Sequence, residues 1–269
     1  MKKNGKLSLL EDLEKENLKN KKVLVRVDFN VPLDDKLNVT DDTRILGALE
    51  TINYLLENQC IVILISHLGR PKGEIVESLR LDPVAKRLEE LLGRKVIKLN
   101  DCIGSQVQKK IDELKYGDIV LLENLRFHKE EKNNEPIFAK QLSSLADIFV
   151  NDAFGAAHRA HASTTGVAAY LSPYAGFLIA REVKVLDKLL SNPERPFTSI
   201  IGGAKVSDKI EVLERLLELC DVLLIGGGMS YTFFASQGFE IGQSICDNEY
   251  IKHADKFIKK AKKLNKEVV

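Results

Sequence analysis

Apolar residues gather along the chain into short, nearly uninterrupted, β-branched runs: VLVRV at 23–27, IVILIS at 61–66, VIKL at 96–99, DIVLLE at 118–123, IFVND at 148–152, TSIIGG at 198–203 and DVLLIGGG at 221–228. Strict alternation would mark strands with one wet face. Continuous runs instead mark strands buried on both faces, as in parallel sheets covered by helices. Between them the apolar positions recur at three to four residues, which predicts helices over 43–57, 83–92, 136–145, 179–190, 207–219 and 250–264. In the 207–219 helix, Ile210, Leu213 and Leu217, with Cys220 just beyond, form one stripe. Some ends are readable too. Asp82-Pro83 supplies an N-cap and a first-turn proline, Gly93 a left-handed C-cap, and Asp41 and Asp42 caps for the helix that carries Arg44. Strand and helix alternate, so the expected fold class is α/β, with doubly wound parallel sheets.

The rhythm breaks once, at SNPERPF (191–197), whose two prolines and charges suit a connection between domains. The expected division is a first domain over 1–178, an interdomain helix and linker over 179–196, and a partial domain over 197–269. This last part holds two full strands and, at KEVV, the opening of a third. Its sheet is expected to be incomplete. At 269 residues with 44% hydrophobic composition, the chain can bury one large core or two modest ones. Lys and Arg number 40 against 39 Asp and Glu, and a formal charge of +1 gives no long-range field for nucleic acid or anionic membrane. No apolar run reaches the roughly 18 residues of a spanning helix, and the start is charged, so a cytoplasmic monomer is expected. Cys60, Cys102, Cys220 and Cys246 are widely spaced, which predicts reduced, mostly buried thiols and no metal site.

The chemistry is legible in where polar residues fall. Asp28 and Asn30 follow the first run, His67 and Arg70 the second, and Asn124 and Arg126 the DIVLLE run, while Asn151 and Asp152 close IFVND. These are strand carboxyl ends, the edge at which open α/β sheets bind ligands. Arg44 and, in AFGAAHRAHAST, Arg159 join Arg70 and Arg126 there. One arginine alone reads as a solvated surface residue. Four on one edge, with forks that match carboxylate and phosphate, point to a small, multiply anionic ligand whose hydroxyl Asp28 and Asn30 could read. HLGRPKG is also an ordinary turn, and a turn accounts for its glycines and proline but not for His67. GGAKVSDK (202–209) follows a strand and opens a helix, so its backbone N–H groups can meet a phosphate, although the P-loop spacing is absent. Lys205 and Lys209, four apart, are expected on one helical face. GGGMSYTF, from Gly226, is a second glycine turn after a strand.

Six segments, RVDFNVP with DDTRI, SHLGRPKG, LLENLRFHKEE, FVNDAFGAAHRAHAST, GGAKVSDK and IGGGMSYTF, together resemble the phosphoglycerate kinase family, in its order and at its spacing over nearly the whole chain. The resemblance implies a two-domain architecture and reversible phosphoryl transfer from 1,3-bisphosphoglycerate to ADP, giving 3-phosphoglycerate and ATP. It implies that Asp28, Asn30, Arg44, His67, Arg70, Arg126 and Arg159 bind the triose phosphate. Arg44, Lys205 and Lys209 are implied to be catalytic, and Gly203, Ala204, Lys209 and Gly227 to lie against the nucleotide, which carries Mg2+. The family's chain is longer, and its acidic nucleotide contact, its Gly-Gly-Asp-Ser/Thr loop at phosphates and metal and its returning tail are absent here. The expectation is weak triose-phosphate binding without turnover if these residues are the whole molecule. A non-catalytic anion-binding module is the competing reading, and it differs in needing no ADP. Nucleic-acid binding through AHRAHA and the lysines of 256–266 is disfavoured by the balanced charge.

Overall fold

Alternate residues of a strand point to opposite faces, so a run without polar interruptions needs a core on each side. The first sheet meets that requirement. The computed structural model describes residues 2–3, 6–13 and 18–269, and contacts divide the chain into two compact units, Met1–Lys184 and Val185–Val269. A two-stranded antiparallel pair, β1 (Lys2–Lys3) and β2 (Lys6–Leu7), opens the first unit. Six strands follow: β3 (Lys22–Arg26), β4 (Ile61–Ile65), β5 (Ile97–Lys98), β6 (Ile119–Leu121), β7 (Ile148–Asn151) and β8 (Pro173–Ala175). They form one sheet in the order β5-β6-β4-β3-β7-β8, parallel throughout. In the central strand β4, Val62 and Leu64 enter one core while Ile61, Ile63 and Ile65 enter the other.

Helices cover both faces. α1 (Thr43–Glu57) and α2 (Asp82–Leu92) bring Ile45, Ile52, Leu55, Val84 and Leu88 to the first core. α3 (Ser105–Asp112), after the short α4 (Lys129–Asn133) is passed, is joined on the second core by α5 (Pro136–Ser143) through Val107, Ile111, Phe138 and Leu142. A single turn, α6 (Phe154–Ala157), follows β7, and α7 (Phe177–Ser191) follows β8. The division between the units falls inside α7, seven residues ahead of the SNPERPF segment.

The second unit holds β9 (Thr198–Gly202), β10 (Val222–Gly226) and β11 (Glu267–Val268) in a parallel sheet ordered β11-β10-β9. Here one core serves one face. Ile201 and Leu223 meet Leu213 and Leu217 of α8 (Ile210–Leu219), Met229 and Phe233 of α9 (Met229–Ser236), and Phe257 and Ala261 of α10 (Ile251–Lys263). Ile200, one position from the buried Ile201, is 77% exposed.

Several local expectations change. Asp82 is the first residue of α2 and not its cap; Leu81 holds that position, Pro83 sits in the first turn, and Gly93 takes the left-handed C-cap at φ 63°. Asp41 Oδ1 accepts the Thr43 N–H at 2.9 Å and so caps α1. Asp42 holds the N-cap position, but its side chain makes no cap bond: Oδ2 accepts from Nε and Nη2 of Arg87, tying α1 to α2. The 207–219 helix starts only at Ile210, because Lys209 N–H bonds back to Val206 O in a tight turn. Lys205 and Lys209 therefore lie in a loop and its last residue, not on a helical face. Strand β8 and helices α3, α4, α6 and α9 were not predicted. α3 buries Val107 and Ile111 on one face but is too short for that spacing to repeat, and α9 is apolar without a stripe. All four cysteines are free, three buried and Cys246 half-buried.

Candidate active site

Segments that follow four strands of the first sheet, β3, β4, β6 and β7, together with the start of α1, carry one cleft. Asp28 and Asn30 follow β3, His67, Gly69 and Arg70 follow β4, and Arg126 lies in a 3-10 turn after β6. Gly155 and Arg159 follow β7, and Arg44 stands in the first turn of α1. Together they line a cavity of about 190 Å³. All seven sequence-predicted residues of the first unit are in that lining; Asn124, Asn151 and Asp152 are not. Asn124 is completely buried and holds the loop in shape, accepting the N–H groups of Leu68 and Arg126 and donating to Leu68 O and Leu79 O. Asn151 Oδ1 takes the Ala153 N–H. Asp152 turns away to the start of α7, where its Oδ1 accepts the Ile179 N–H and its Oδ2 has no partner. Burial raises the Asp152 carboxyl to about 6.

Four arginines and one carboxylate line the cleft. Arg44 donates to Asp28 Oδ2 at 2.8 Å, leaving the buried Asp28 Oδ1 without a partner. Arg126 is almost fully buried and donates to Gly69 O at 2.7 Å, and Gly69 N–H in turn donates to Asn30 Oδ1 at 2.8 Å. Burial, then the charges of Arg159 and Arg26, lower the Arg126 guanidinium. Arg70 and Arg159 are exposed and make no ion pair among the described residues. Two glycines were missed by sequence reasoning, and each makes room. A side chain at Gly155 would meet Asp28 Oδ2 at 2.7 Å, and one at Gly69, already at φ 62°, would meet Leu79 at 2.7 Å.

Beneath the cleft lies a buried layer that the sequence reading also missed. Arg26, the one charged residue of β3 that points inside, donates to Ser163 Oγ and to the carbonyl of Val27, and its Nη2 sits 3.1 Å from His67 Nδ1. Ser163 donates to the buried Glu131, and His161 lies 3.5 Å from the same carboxylate. A guanidinium has no lone pair to offer, so His67 Nδ1 must be the acceptor and the ring proton is on Nε2. Burial, reinforced by Arg26, Arg126, Arg159 and Arg44, lowers the His67 pKa to about 2. His67 is thus a neutral donor. The available clue was an arginine inside an otherwise apolar strand.

In the second unit the site residues form a backbone contact. The turn after β9 carries Gly203, Ala204 and Lys205; β10 ends on Gly226, and the turn after it carries Gly227 and Gly228. The two turns touch: Met229 N–H donates to Gly203 O at 2.9 Å, and a Cβ on Gly227 (φ 71°) would stand 3.0 Å from Gly203 O. A Cβ on Gly228 would stand 3.1 Å from Ala204 O. Lys205 and Lys209 are exposed and unpaired among the described residues. Among those residues, the single group of three potential metal ligands is Asp101, Cys102 and His128, in the first unit.

Comparison with known proteins places this geometry in context. The profile of the phosphoglycerate kinase family matches residues 10–269. The chain is 59% identical over 252 residues to the phosphoglycerate kinase of Moorella thermoacetica and 58% over 249 to that of Borrelia duttonii, covering 94% and 93% of this chain. It spans about 63% of the length of these relatives. Among solved structures, phosphoglycerate kinase from Coxiella burnetii superposes with a TM-score of 0.86 at 41% identity, covering 98% of this chain and 66% of that one. The Pyrococcus horikoshii enzyme gives 0.77 at 34% identity, covering 94% and 65%.

Proposed function

The chain belongs to the phosphoglycerate kinase family, and from that premise we propose that it serves reversible phosphoryl transfer between 1,3-bisphosphoglycerate and ADP. The observation that carries this reading is the convergence of Asp28, Asn30, Arg44, His67, Arg70, Arg126 and Arg159 on one small cleft. The cleft's chemistry suits 3-phosphoglycerate. Exposed Arg70 and Arg159 with buried Arg126 offer forks to the phosphate, and the neutral His67 Nε2–H can donate without adding charge. Asp28 and Asn30 have oxygens for the hydroxyl. Lys205 and Lys209 are the cations for the phosphoryl group in flight, and the touching glycine turns let a nucleotide approach the backbone at Gly203, Ala204 and Gly227.

The reaction asks little else of the protein. An oxygen of the ADP terminal phosphate attacks the C1 phosphorus, the bond to the carboxyl oxygen breaks, and a carboxylate leaves. Nucleophile and leaving group are both already ionised, so no general base is required, and catalysis reduces to positioning and charge stabilisation. Cations are what these residues provide. When bound, magnesium would accompany the nucleotide and neutralise its phosphates.

Calorimetric titration with 3-phosphoglycerate and, separately, with ADP tests the assignment. Binding of both, together with ATP formation in a coupled assay, is expected of the enzyme. Binding of 3-phosphoglycerate alone would leave an anion-binding module, and binding of neither would end the proposal.

A further inference from the structure

Away from the cleft, the loop after β5 meets the residue that joins the 3-10 turn of Arg126 to α4. Asp101, Cys102 and His128 converge there, with donor atoms all within 4.8 Å of one another. Asp101 Oδ1 accepts from the Cys102 N–H at 2.7 Å and lies 2.8 Å from His128 Nε2. Cys102 is completely buried, takes part in no disulfide and has no hydrogen bond to its sulfur among the described residues. Asp101 is half-exposed on its side chain and His128 about a quarter, so one side of the cluster opens to solvent while the sulfur closes the other.

We propose that Asp101, Cys102 and His128 form a binding site for a zinc-class divalent ion, with a water in the fourth position. Tetrahedral coordination at ordinary Zn–S, Zn–N and Zn–O lengths puts ligand atoms roughly 3.3–3.7 Å apart. The carboxylate and imidazole need to part slightly and the thiol to close slightly, changes within side-chain reach. The charge around the sulfur agrees. The carboxylates of Asp101, Glu131 and Glu123 lie around the buried sulfur and favour a cation beside it. Glu123 is already held by Arg80 and Lys98, and Glu131 by Ser163, which leaves Asp101 as the carboxylate able to turn. Sulfur and nitrogen among the donors select zinc or cobalt over magnesium or calcium. On binding, the thiol proton, and the imidazolium proton where His128 is charged by Asp101, pass to solvent, so the site becomes thiolate, neutral imidazole and carboxylate.

Titration of the metal-free chain with Co2+ tests this directly. A sulfur-to-cobalt charge-transfer band in the near ultraviolet is expected, saturating at one ion per chain and displaced by Zn2+. His128→Gln should weaken Co2+ binding by about tenfold or more, since loss of even an outer-shell partner costs 10–100-fold. Cys102→Ser should abolish the band. Absence of the band, or its persistence in Cys102→Ser through another thiol, overturns the site. Where Cys102→Ser fails to fold, the His128→Gln variant decides, and unchanged Co2+ affinity there overturns it equally.

Discussion

The cleft of the first unit and the glycine turns of the second are built from opposite materials. The cleft is made of side chains delivered by separate strand ends, and behind it Arg26, Ser163 and Glu131 form a buried layer that fixes the His67 ring before any ligand arrives. The turns are made of backbone, shaped by Gly203, Ala204, Gly227 and Gly228 approaching one another, while Lys205 and Lys209 stay exposed and unanchored. The sheets differ in the same sense. β4 is buried at every position between two cores, whereas β9 exposes Ile200 and buries Ile201 against one. A side-chain site loses affinity when a side chain is cut back. A backbone site fails when one is added.

The largest expected effect tests the side-chain half. Arg126 is nearly buried, and its Nη1 is spent on Gly69 O, leaving its other donors for an anion. Removing hydrogen bonds to a charged group costs about 1.5–3 kcal/mol, or roughly 10–150-fold in affinity. Calorimetry with 3-phosphoglycerate should show that loss in Arg126→Ala, while Lys205→Ala and Lys209→Ala keep the affinity within about twofold. An equal loss in the lysine variants would erase the distinction between the two regions.

That half was also the more legible one in sequence, for a physical reason. Residue type and position after an apolar run suffice to place Arg70, Arg126 and His67 on one edge, because strand ends in a parallel sheet share an edge whatever their order. Sequence does not reveal which polar residues turn inward. Asn124 and Asp152 sit at the same kind of position as Arg126, yet Asn124 satisfies loop backbone and Asp152 meets the start of α7. Arg26 was passed over because a strand residue between valines reads as core, and only the fold shows Ser163 and His67 waiting for it. Among backbone features the spacing of Lys205 and Lys209 misled, since a periodicity argument assumes the helix has begun. The Val206–Lys209 turn delays it to Ile210. Short elements such as β8 and α4 carry too few residues to show a period.

Titration separates the buried layer from the rest of the fold. His67 has a folded pKa of about 2 against an ordinary 6.5, so the unfolded chain binds more protons below pH 6.5. Its contribution is fully present above that pH and is lost as pH falls towards 2, because the unfolded ring takes up a proton that the folded ring, buried beside Arg26, Arg126, Arg159 and Arg44, does not. Asp152 has the opposite sign. Its carboxyl is raised to about 6 from 3.8, so its contribution is present at low pH and declines as pH rises through 6. In urea unfolding followed from pH 4 to pH 7, His67→Gln should flatten the rise of stability with pH and Asp152→Asn should steepen it. Identical profiles for wild type and His67→Gln would show that the ring is not held neutral by its surroundings.

The smallest effect, a difference between two glycine substitutions, probes the backbone half. Gly227 has φ 71°, and a Cβ there would stand 3.0 Å from Gly203 O and 3.1 Å from Gly203 N, atoms of another turn that no side-chain rotation can move aside. Gly93 shares the left-handed conformation at φ 63° but has nothing within 4 Å of a built Cβ. A left-handed L-residue costs about 1–2 kcal/mol by itself. Gly93→Ala should therefore lose about that much in denaturant unfolding, and Gly227→Ala should lose it plus the cost of parting the turns, about 1 kcal/mol more. The Gly227→Ala loss should appear in unfolding of the second unit, the Gly93→Ala loss in that of the first, and Gly227→Ala should leave 3-phosphoglycerate affinity unchanged, because the cleft shares none of these atoms. Equal losses at the two glycines would mean that the turns yield freely, and the second site would then owe its shape to something other than their contact.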